Sequence, residues 1–429
     1  MDKNYNLMSK EQLALEREEL IKRYEEYKSQ GLSLNMARGK PSPVQLDLSK
    51  DIYKNIDSFI ASDGTDSRNY GCLQGIPEMR KLFADILDTV PEKIFVGGSS
   101  SLTMMHDTMA RAMIFGEVDS PKPWSQVEGR KWLCPAPGYD RHFKIAEMFG
   151  FELIPIELDP WGPNMTQIEE YVKDPTVLGM WCVPCYSNPD GYVYSEAICR
   201  QLASMETAAP DFRIYWDNAY MKHHLYEDEI QTIPDILALC EEAGNPNRVY
   251  EFTSFSKITL AGSSVACMAT NKENMDFAIS HINKQCIDCN KVNQLAHTKF
   301  FKDESEVEAH MRKHADILRP KFQKCIEIFN EEFSGNGDIS YWTDPNGGYF
   351  ISFYAYPYTA KKVWQMCKDA GVTLTDAGAA FPYGKDPLDN HLRIAPSYPS
   401  LEDIEKAIRI LCICTKITAI DAMIANELR

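Results

Sequence analysis

The sequence predicts an α/β protein: a large lobe with a mostly parallel sheet between helices, and a smaller α+β lobe. Three observations predict it. From about residue 65, short apolar runs alternate with helical patterns. Most of these runs stop at Gly, Pro, Asn, Asp or Ser, the residues of turns. After about residue 305 the alternation gives way to one long polar helix and a mixed set of strands and helices.

The elements follow in order. Residues 9–30 set Leu13, Leu15, Leu20, Ile21, Tyr24 and Tyr27 among many charges, which reads as an amphipathic opening helix. Asn35-Met36-Ala37-Arg38-Gly39-Lys40-Pro41-Ser42-Pro43 is a Gly/Pro loop that crosses between lobes. Apolar strands are expected at 93–96, 132–134, 151–156, 179–183, 213–216, 248–252 and 264–269. The first leads through Gly97-Gly98-Ser99-Ser100-Ser101 into a helical pattern at Leu102, Met105, Met109 and Met113. In such a sheet the chemistry sits beyond the carboxyl ends of the strands. A helix over 305–333 opens the last part. A strand at 347–353, a helix at 359–370, strands near 372–374 and 391–395, and a final helix from Ser400 complete it. The chain divides accordingly into 1–60 (part of the small domain and the interdomain loop), 61–304 (the large domain) and 305–429 (the small domain).

Composition narrows the function. The 429 residues carry a formal net charge of −17, with 44% hydrophobic and 25% charged residues. Those fractions are ordinary for a globular protein. The acidic balance argues against a nucleic-acid surface, which needs clustered Lys and Arg. An anionic substrate would need a local basic pocket in a negative surround. No apolar stretch of about 18 residues exists, so no membrane span is expected. The N-terminus lacks a basic segment leading into an apolar run, so no secretion signal is expected. Thirteen scattered cysteines favour buried thiols in a reducing cytoplasm over a disulfide framework.

Five features fall at strand ends. Gly97-Gly98-Ser99-Ser100-Ser101 opens a helix, where N–H groups and the dipole can hold a phosphate; a plain N-cap is the alternative. Pro135-Ala136-Pro137-Gly138-Tyr139 puts an aromatic after a strand, either to stack on a flat ring or to fill a turn. Tyr186-Ser187-Asn188-Pro189-Asp190-Gly191 is a strong turn, and its Asn188 amide could also donate to a phenolate-type oxygen. Trp216-Asp217-Asn218-Ala219-Tyr220 leaves Asp217 partly buried. A buried carboxylate needs a partner, structural or a protonated pyridine nitrogen. Thr253-Ser254-Phe255-Ser256-Lys257 sets a lysine among hydroxyls just past a strand. A lysine that attacks a carbonyl must be partly desolvated, so that its amine is neutral; most lysines are simply solvated. Each feature alone has a structural reading, and their joint order is the signal.

These residues resemble fold-type-I, pyridoxal-phosphate-dependent aminotransferases of class I and II, over nearly the whole chain. The likeness is nearest to a bacterial aspartate-aminotransferase-like group related to the aminotransferase domain of MocR regulators. The phrases that carry it are Ala37-Arg38-Gly39-Lys40-Pro41, Arg68-Asn69-Tyr70-Gly71, Pro137-Gly138-Tyr139-Asp140-Arg141-His142, Tyr186-Ser187-Asn188-Pro189, Trp216-Asp217-Asn218-Ala219-Tyr220 and Arg393-Ile394-Ala395-Pro396-Ser397. The resemblance implies the type-I transferase fold with a seven-stranded large sheet, pyridoxal 5′-phosphate (PLP) as cofactor, and a homodimer with shared active sites. It implies that Lys257 holds the cofactor as a Schiff base and moves the proton, and that Asp217 pairs with the ring nitrogen. Asn188 and Tyr220 would bond the ring O3′, and Tyr139 would stack on its face. Gly98, Ser99 and Ser254 would bind the phosphate, with Ser100 and Ser256 also in the cofactor site. Tyr70 would reach the phosphate of the neighbouring subunit. Arg393 would hold the substrate α-carboxylate as a two-point fork, with Asn188 beside it and Gly39 closing behind.

One departure stands out. Many relatives place an Arg on the phosphate shortly after the lysine, yet residues 258–268 hold no basic residue. The phosphate would then rely on helix N–H groups, on Ser256 and Thr259, on Tyr70, or on a cation such as Arg68 or Lys40. Cys182 and Cys185, and Cys286 and Cys289, have C-x-x-C spacing but lie too far apart in sequence for a paired zinc site, so no metal is expected. His223, His224 and the methionines of 104–113 read as structural.

The resulting expectation is an enzyme that moves an amino group from an L-amino acid, aspartate or glutamate, to a 2-oxo acid by a ping-pong path. Its partners are small molecules, with neither nucleic acid nor membrane. A dicarboxylate needs a second cation, for which Arg38, Lys40 and Lys291 are candidates. A PLP-dependent β-lyase or another fold-type-I reaction is the alternative among enzymes. A ligand-binding regulatory module is the alternative outside them; such regulators carry a DNA-binding helix-turn-helix, whereas only residues 1–36 precede Ala37 here.

Overall fold

The computed structural model describes residues 4–425, so residues 1–3 and 426–429, at the ends of the first and last expected segments, lie outside the described residues. From one edge, the large sheet runs Ile94–Val96, Ala266–Ala269, Val249–Ser254, Arg213–Asp217, Val177–Cys182, Lys131–Ala136, Glu152–Asp159 and Gly162–Pro163. The strands from Val249–Ser254 through Glu152–Asp159 are parallel. Ala266–Ala269 is antiparallel to both neighbours. This is the expected mostly parallel α/β fold, with one correction: an eighth strand, the two-residue Gly162–Pro163, pairs on the edge of the expected seven.

Val177–Cys182 and Arg213–Asp217 are buried at every residue, as strands covered on both faces must be. Trp132 anchors one face, its ring centroid 5.1–5.7 Å from those of Trp124, Phe151, Trp181 and Tyr215. Gly179 makes room for it: a Cβ there would lie 2.5 Å from the Trp132 ring.

The remaining strands form a second body. Tyr341–Trp342, Ile351–Tyr354 and His391–Ile394 make an antiparallel sheet. Leu34–Asn35 pairs in parallel with Val372–Thr373, which ties the opening segment to the C-terminal part. The helices Lys10–Lys28 and Glu304–Phe333 both pack on Leu401–Ala425. Their apolar faces, with Leu13, Leu20, Tyr24, Phe329 and Ile408, share a core distinct from that of the large sheet. Leu15 is 65% exposed, so the opening helix buries a narrower stripe than its pattern suggests.

The expected strand at 347–353 begins only at Ile351. The cause is a close crossing. Gly348 N donates to the His223 carbonyl at 2.8 Å, and a Cβ on Gly347 would lie 2.5 Å from the Tyr186 ring. Gly348, at φ +84, takes a backbone angle that favours glycine. All thirteen cysteines are free thiols. Among the described residues no helix is long and apolar enough to cross a membrane, and no cluster of three His, Cys, Asp or Glu could hold a metal.

Candidate active site

The carboxyl ends of the parallel strands open into a cleft of about 460 Å³. Lys257, Asp217, Tyr220, Asn188, Tyr139, Ser100, Ser254, Ser256, Gly39 and Arg393 all line it. Residues spread over more than 350 positions of sequence are thus brought to one site.

Asp217 ends the strand Arg213–Asp217 and is buried. Its Oδ2 lies 3.0 Å from His142 Nε2, close but without the alignment of a full hydrogen bond. His142 comes from the helix Asp140–Met148 and stacks on Trp181, with centroids 4.5 Å apart and planes at 10°. Asp217 Oδ1 is buried and accepts from no protein donor. An unpaired buried acceptor costs about 1–3 kcal/mol, more when charged. A donor arriving from the cleft would recover that cost. The protonated ring nitrogen of PLP is such a donor, so the residues present fit the expected group.

Asn188 is the hub between that carboxylate and the second body. Arg393 Nη1 donates to Asn188 Oδ1 at 3.2 Å. This orients the amide, with its nitrogen toward the Tyr220 hydroxyl. Burial, then the charge of Asp217, raises the Tyr220 pKa, so at neutral pH the phenol keeps a proton to donate. Lys257 Nζ stands 4.8 Å from the Tyr220 ring centroid. Lys257 is half-buried and closes the 3-10 turn Phe255–Lys257, which Ser254 caps by accepting from Ser256 N at 3.4 Å.

Arg393 is pre-set by three further neighbours. Nη1 also lies 3.4 Å from Asp140 Oδ1, Nη2 donates to Thr375 Oγ1 at 3.2 Å, and the guanidinium sits 5.0 Å from the Phe350 ring centroid. Nε is buried and unpaired. Gly39 packs on the same ring: a Cβ there would come within 2.3 Å of Phe350 Cζ.

The phosphate loop divides between two depressions. Ser100, not the preceding residues, caps the helix Ser101–Phe115, its Oγ accepting from Thr103 N at 3.4 Å. Ser100, Ser101 and Leu102 line the cleft, so the helix N-terminus borders it. Gly98 and Ser99 instead line a separate depression of about 290 Å³ beside Cys286 and Cys289. The Ser99 carbonyl reaches the site as well, accepting from Ser256 Oγ at 3.5 Å. Tyr70 is 78% exposed and outside the cleft of its own chain.

The candidate cations separate as well. Arg68 pairs with Asp66 at 2.6 Å, and Lys291, buried, pairs with Asp288 at 2.6 Å. Neither lines the cleft, whereas Arg38, Lys40 and Arg141 do. The lining thus holds five cationic side chains against two carboxylates, Asp140 and Asp217. This is the local basic pocket that an acidic chain needs for anionic ligands. Sequence reasoning assigned no role to His142, Asp140, Arg141, Thr375 or Phe350. The one local signal was the run Asp140-Arg141-His142 just past a strand end.

Known proteins resemble the chain over nearly its whole length. The family model described as aspartate amino-transferase matches residues 8–427. The aspartate aminotransferase of Corynebacterium glutamicum is 46% identical over 411 residues, 95% of either chain. A crystal structure of an aspartate transaminase from the same organism superposes with a TM-score of 0.95 and 44% identity, covering 98% of this chain and 99% of that one. An α-aminoadipate aminotransferase from Thermus thermophilus, solved with N-(5′-phosphopyridoxyl)-L-leucine, shares the fold at a TM-score of 0.72 and 19% identity, over 92% of this chain and 94% of that one.

Proposed function

The chain belongs to the aspartate amino-transferase family and is an aminotransferase, and on that premise we propose that it is a PLP-dependent transaminase of dicarboxylic amino acids. The donor is L-aspartate or L-glutamate and the acceptor 2-oxoglutarate or oxaloacetate. The path is ping-pong: one pocket serves two half-reactions, and the first product leaves before the acceptor enters. The observation that carries the reading is the buried, unpartnered Oδ1 of Asp217 in the same cleft as Lys257.

PLP, when bound, supplies an electron-withdrawing ring that stabilises the electron pair left when the substrate α C–H bond breaks. The chain's own residues do the rest. Asp217 holds the ring nitrogen proton, Asn188 and Tyr220 donate to the ring oxygen, and Tyr139 covers one face. Ser100, Ser101, Ser254 and Ser256 hold the phosphate, with charge from Arg38, Lys40 or Arg141 in place of the missing arginine. The Lys257 amine, half-buried beside Tyr220, binds the cofactor and carries the α-proton. Arg393, already oriented by Asp140, Asn188 and Thr375, takes the α-carboxylate as a fork. The cationic excess of the lining supports a second carboxylate on the substrate.

The exposed Tyr70 supports a homodimer in which it reaches a second copy's phosphate. The separate cores support a cofactor domain over 61–304 and a small domain drawn from both chain ends. Thirteen free thiols support a reducing compartment such as the cytoplasm.

The test is spectroscopic and kinetic. The protein with PLP should show a visible band of lysine-bound cofactor that Lys257→Ala lacks. Rates with a panel of amino donors should favour aspartate and glutamate; an alanine or aromatic preference would overturn the dicarboxylate assignment. Pyruvate with ammonia or thiol as products would turn the reading to a β-lyase.

A further inference from the structure

A buried polar chain runs beneath Lys257, and none of the roles above uses it. It begins at Ser42, at the end of the loop that brings Arg38, Gly39 and Lys40 to the cleft. The Ser42 N–H donates to Gln45 Oε1 at 3.0 Å. That fixes the Gln45 amide, whose Nε2 donates to Tyr349 Oη at 3.0 Å and to His314 Nδ1 at 3.1 Å. Gln45, Tyr349 and His314 are all 0% exposed.

Donor logic gives the chain a direction. An amide nitrogen only donates, so His314 Nδ1 accepts and the neutral ring carries its proton on Nε2. Tyr349 Oη accepts from Gln45 and keeps its own O–H to give, and the Lys257 carbonyl oxygen lies 3.5 Å away. The Ile258 carbonyl, which only accepts, lies 2.9 Å from His310 Nε2, so that nitrogen carries the His310 proton; His314 Nε2–H, 3.2 Å from it, makes no bond to that ring and is directed at the same carbonyl. Burial lowers His310 to about 4 and His314 to about 3, so both rings are neutral at pH 7. The two branches end on consecutive carbonyls, those of Lys257 and Ile258. Lys257 itself closes a single 3-10 turn, which gives its backbone little support of its own. The far side of the Ser42 loop is held too, since Ser397 Oγ donates to the Lys40 carbonyl at 3.0 Å.

We propose that Gln45, Tyr349, His310 and His314 are positioning residues for Lys257, fixing its backbone from below and coupling it to the loop that walls the substrate. The proposal rests on the functional reading above, because it takes Lys257 as the reacting amine.

Tyr349→Phe deletes one O–H and keeps the ring. It should lower kcat with L-aspartate and 2-oxoglutarate about tenfold, with KM within about twofold, since misplacing a reacting group costs rate more than binding. It should also move the pH midpoint of the PLP absorption band. The cofactor-free variant should melt within about 2 °C of the parent. Gln45→Met cuts both branches, and the double variant should lose no more than Gln45→Met alone, because members of one chain are not additive. His310→Gln keeps a donor for the Ile258 carbonyl and should recover part of the kcat that His310→Leu loses. An unmoved band midpoint with parental kcat in Tyr349→Phe overturns the proposal. So do additive losses in the double variant, or equal losses in the two His310 variants. Absence of any PLP band in the unaltered protein would instead overturn the functional reading.

Discussion

The strand Arg213–Asp217 carries a buried charge at each end, and the fold treats them in opposite ways. At the amino end, Arg213 Nη2 lies 3.2 Å from Asp119, Nη1 donates to the Phe212 carbonyl at 3.3 Å, and Nε stands 3.8 Å from Glu117. Glu117 accepts from the Tyr250 hydroxyl at 2.7 Å. Nearby, Asp211 accepts from Trp124 Nε1 at 2.8 Å. At the carboxyl end, Asp217 Oδ1, Asn218 Oδ1 and Arg393 Nε are all buried without partners. Arg213 Nε makes no hydrogen bond either, yet at the closed amino end each carboxylate is partnered, whereas at the open carboxyl end the Asp217 carboxylate keeps one oxygen unpartnered beside the cleft.

The largest expected effect comes from breaking the closed end. Arg213→Met leaves the buried Glu117 without its cation and should cost about 3–5 kcal/mol of stability, read from urea midpoints, while the folded fraction keeps its kcat. Breaking the open end should do the reverse. Asp217→Asn should lower kcat/KM about 10²–10³-fold, while the cofactor-free protein melts no lower than the parent. A stability loss as large as that of Arg213→Met would erase the contrast. Gly39→Ala sharpens the picture at the cleft wall. Its new methyl would press Phe350 toward Arg393, a strain of about 1–3 kcal/mol that should appear as a raised KM for the amino donor.

The smallest effect lies at the surface beside the closed end. Lys131, then the Thr176 backbone and hydroxyl, hold the Asp174 pKa down to about 2. Its contribution is present above the ordinary value of 3.8 and is lost as pH falls toward 2. Because the pair is partly solvated, Asp174→Asn should cost only about 0.2–1 kcal/mol at pH 7. The difference from the parent should vanish in acid; a difference that persists at pH 2 would assign the effect to packing instead.

What the chain revealed by itself follows the path of its strands. Lys257, Asp217, Asn188, Tyr139 and Ser100 each stand just past an apolar run, where turn chemistry and strand ends coincide. The residues that orient them come from elsewhere. Arg393 meets Thr375 across 18 positions and Asp140 across 253, and no local pattern specifies either meeting. They depend on a strand order that differs from chain order. Composition also cannot say which of three serines caps a helix; the structure gives that place to Ser100. Lys291 read as a spare cation because Asp288, three residues earlier, gives no sign in sequence of sealing it. Gly347-Gly348 before an apolar run read as strand, and only the crossing over Tyr186 shows why the strand starts late.

The helix Glu304–Phe333 has a root in each core: Val307 and Met311 in that of the large sheet, Leu318, Phe322 and Phe329 in the other. It is a spar shared by two hulls, and a spar of that kind makes their melting a joint event. Pro320, which lacks an N–H for the helical ladder, falls inside the second root, close to the junction. The spar therefore gives up one rung of its ladder near where the hulls meet, while its apolar moorings in both stay buried.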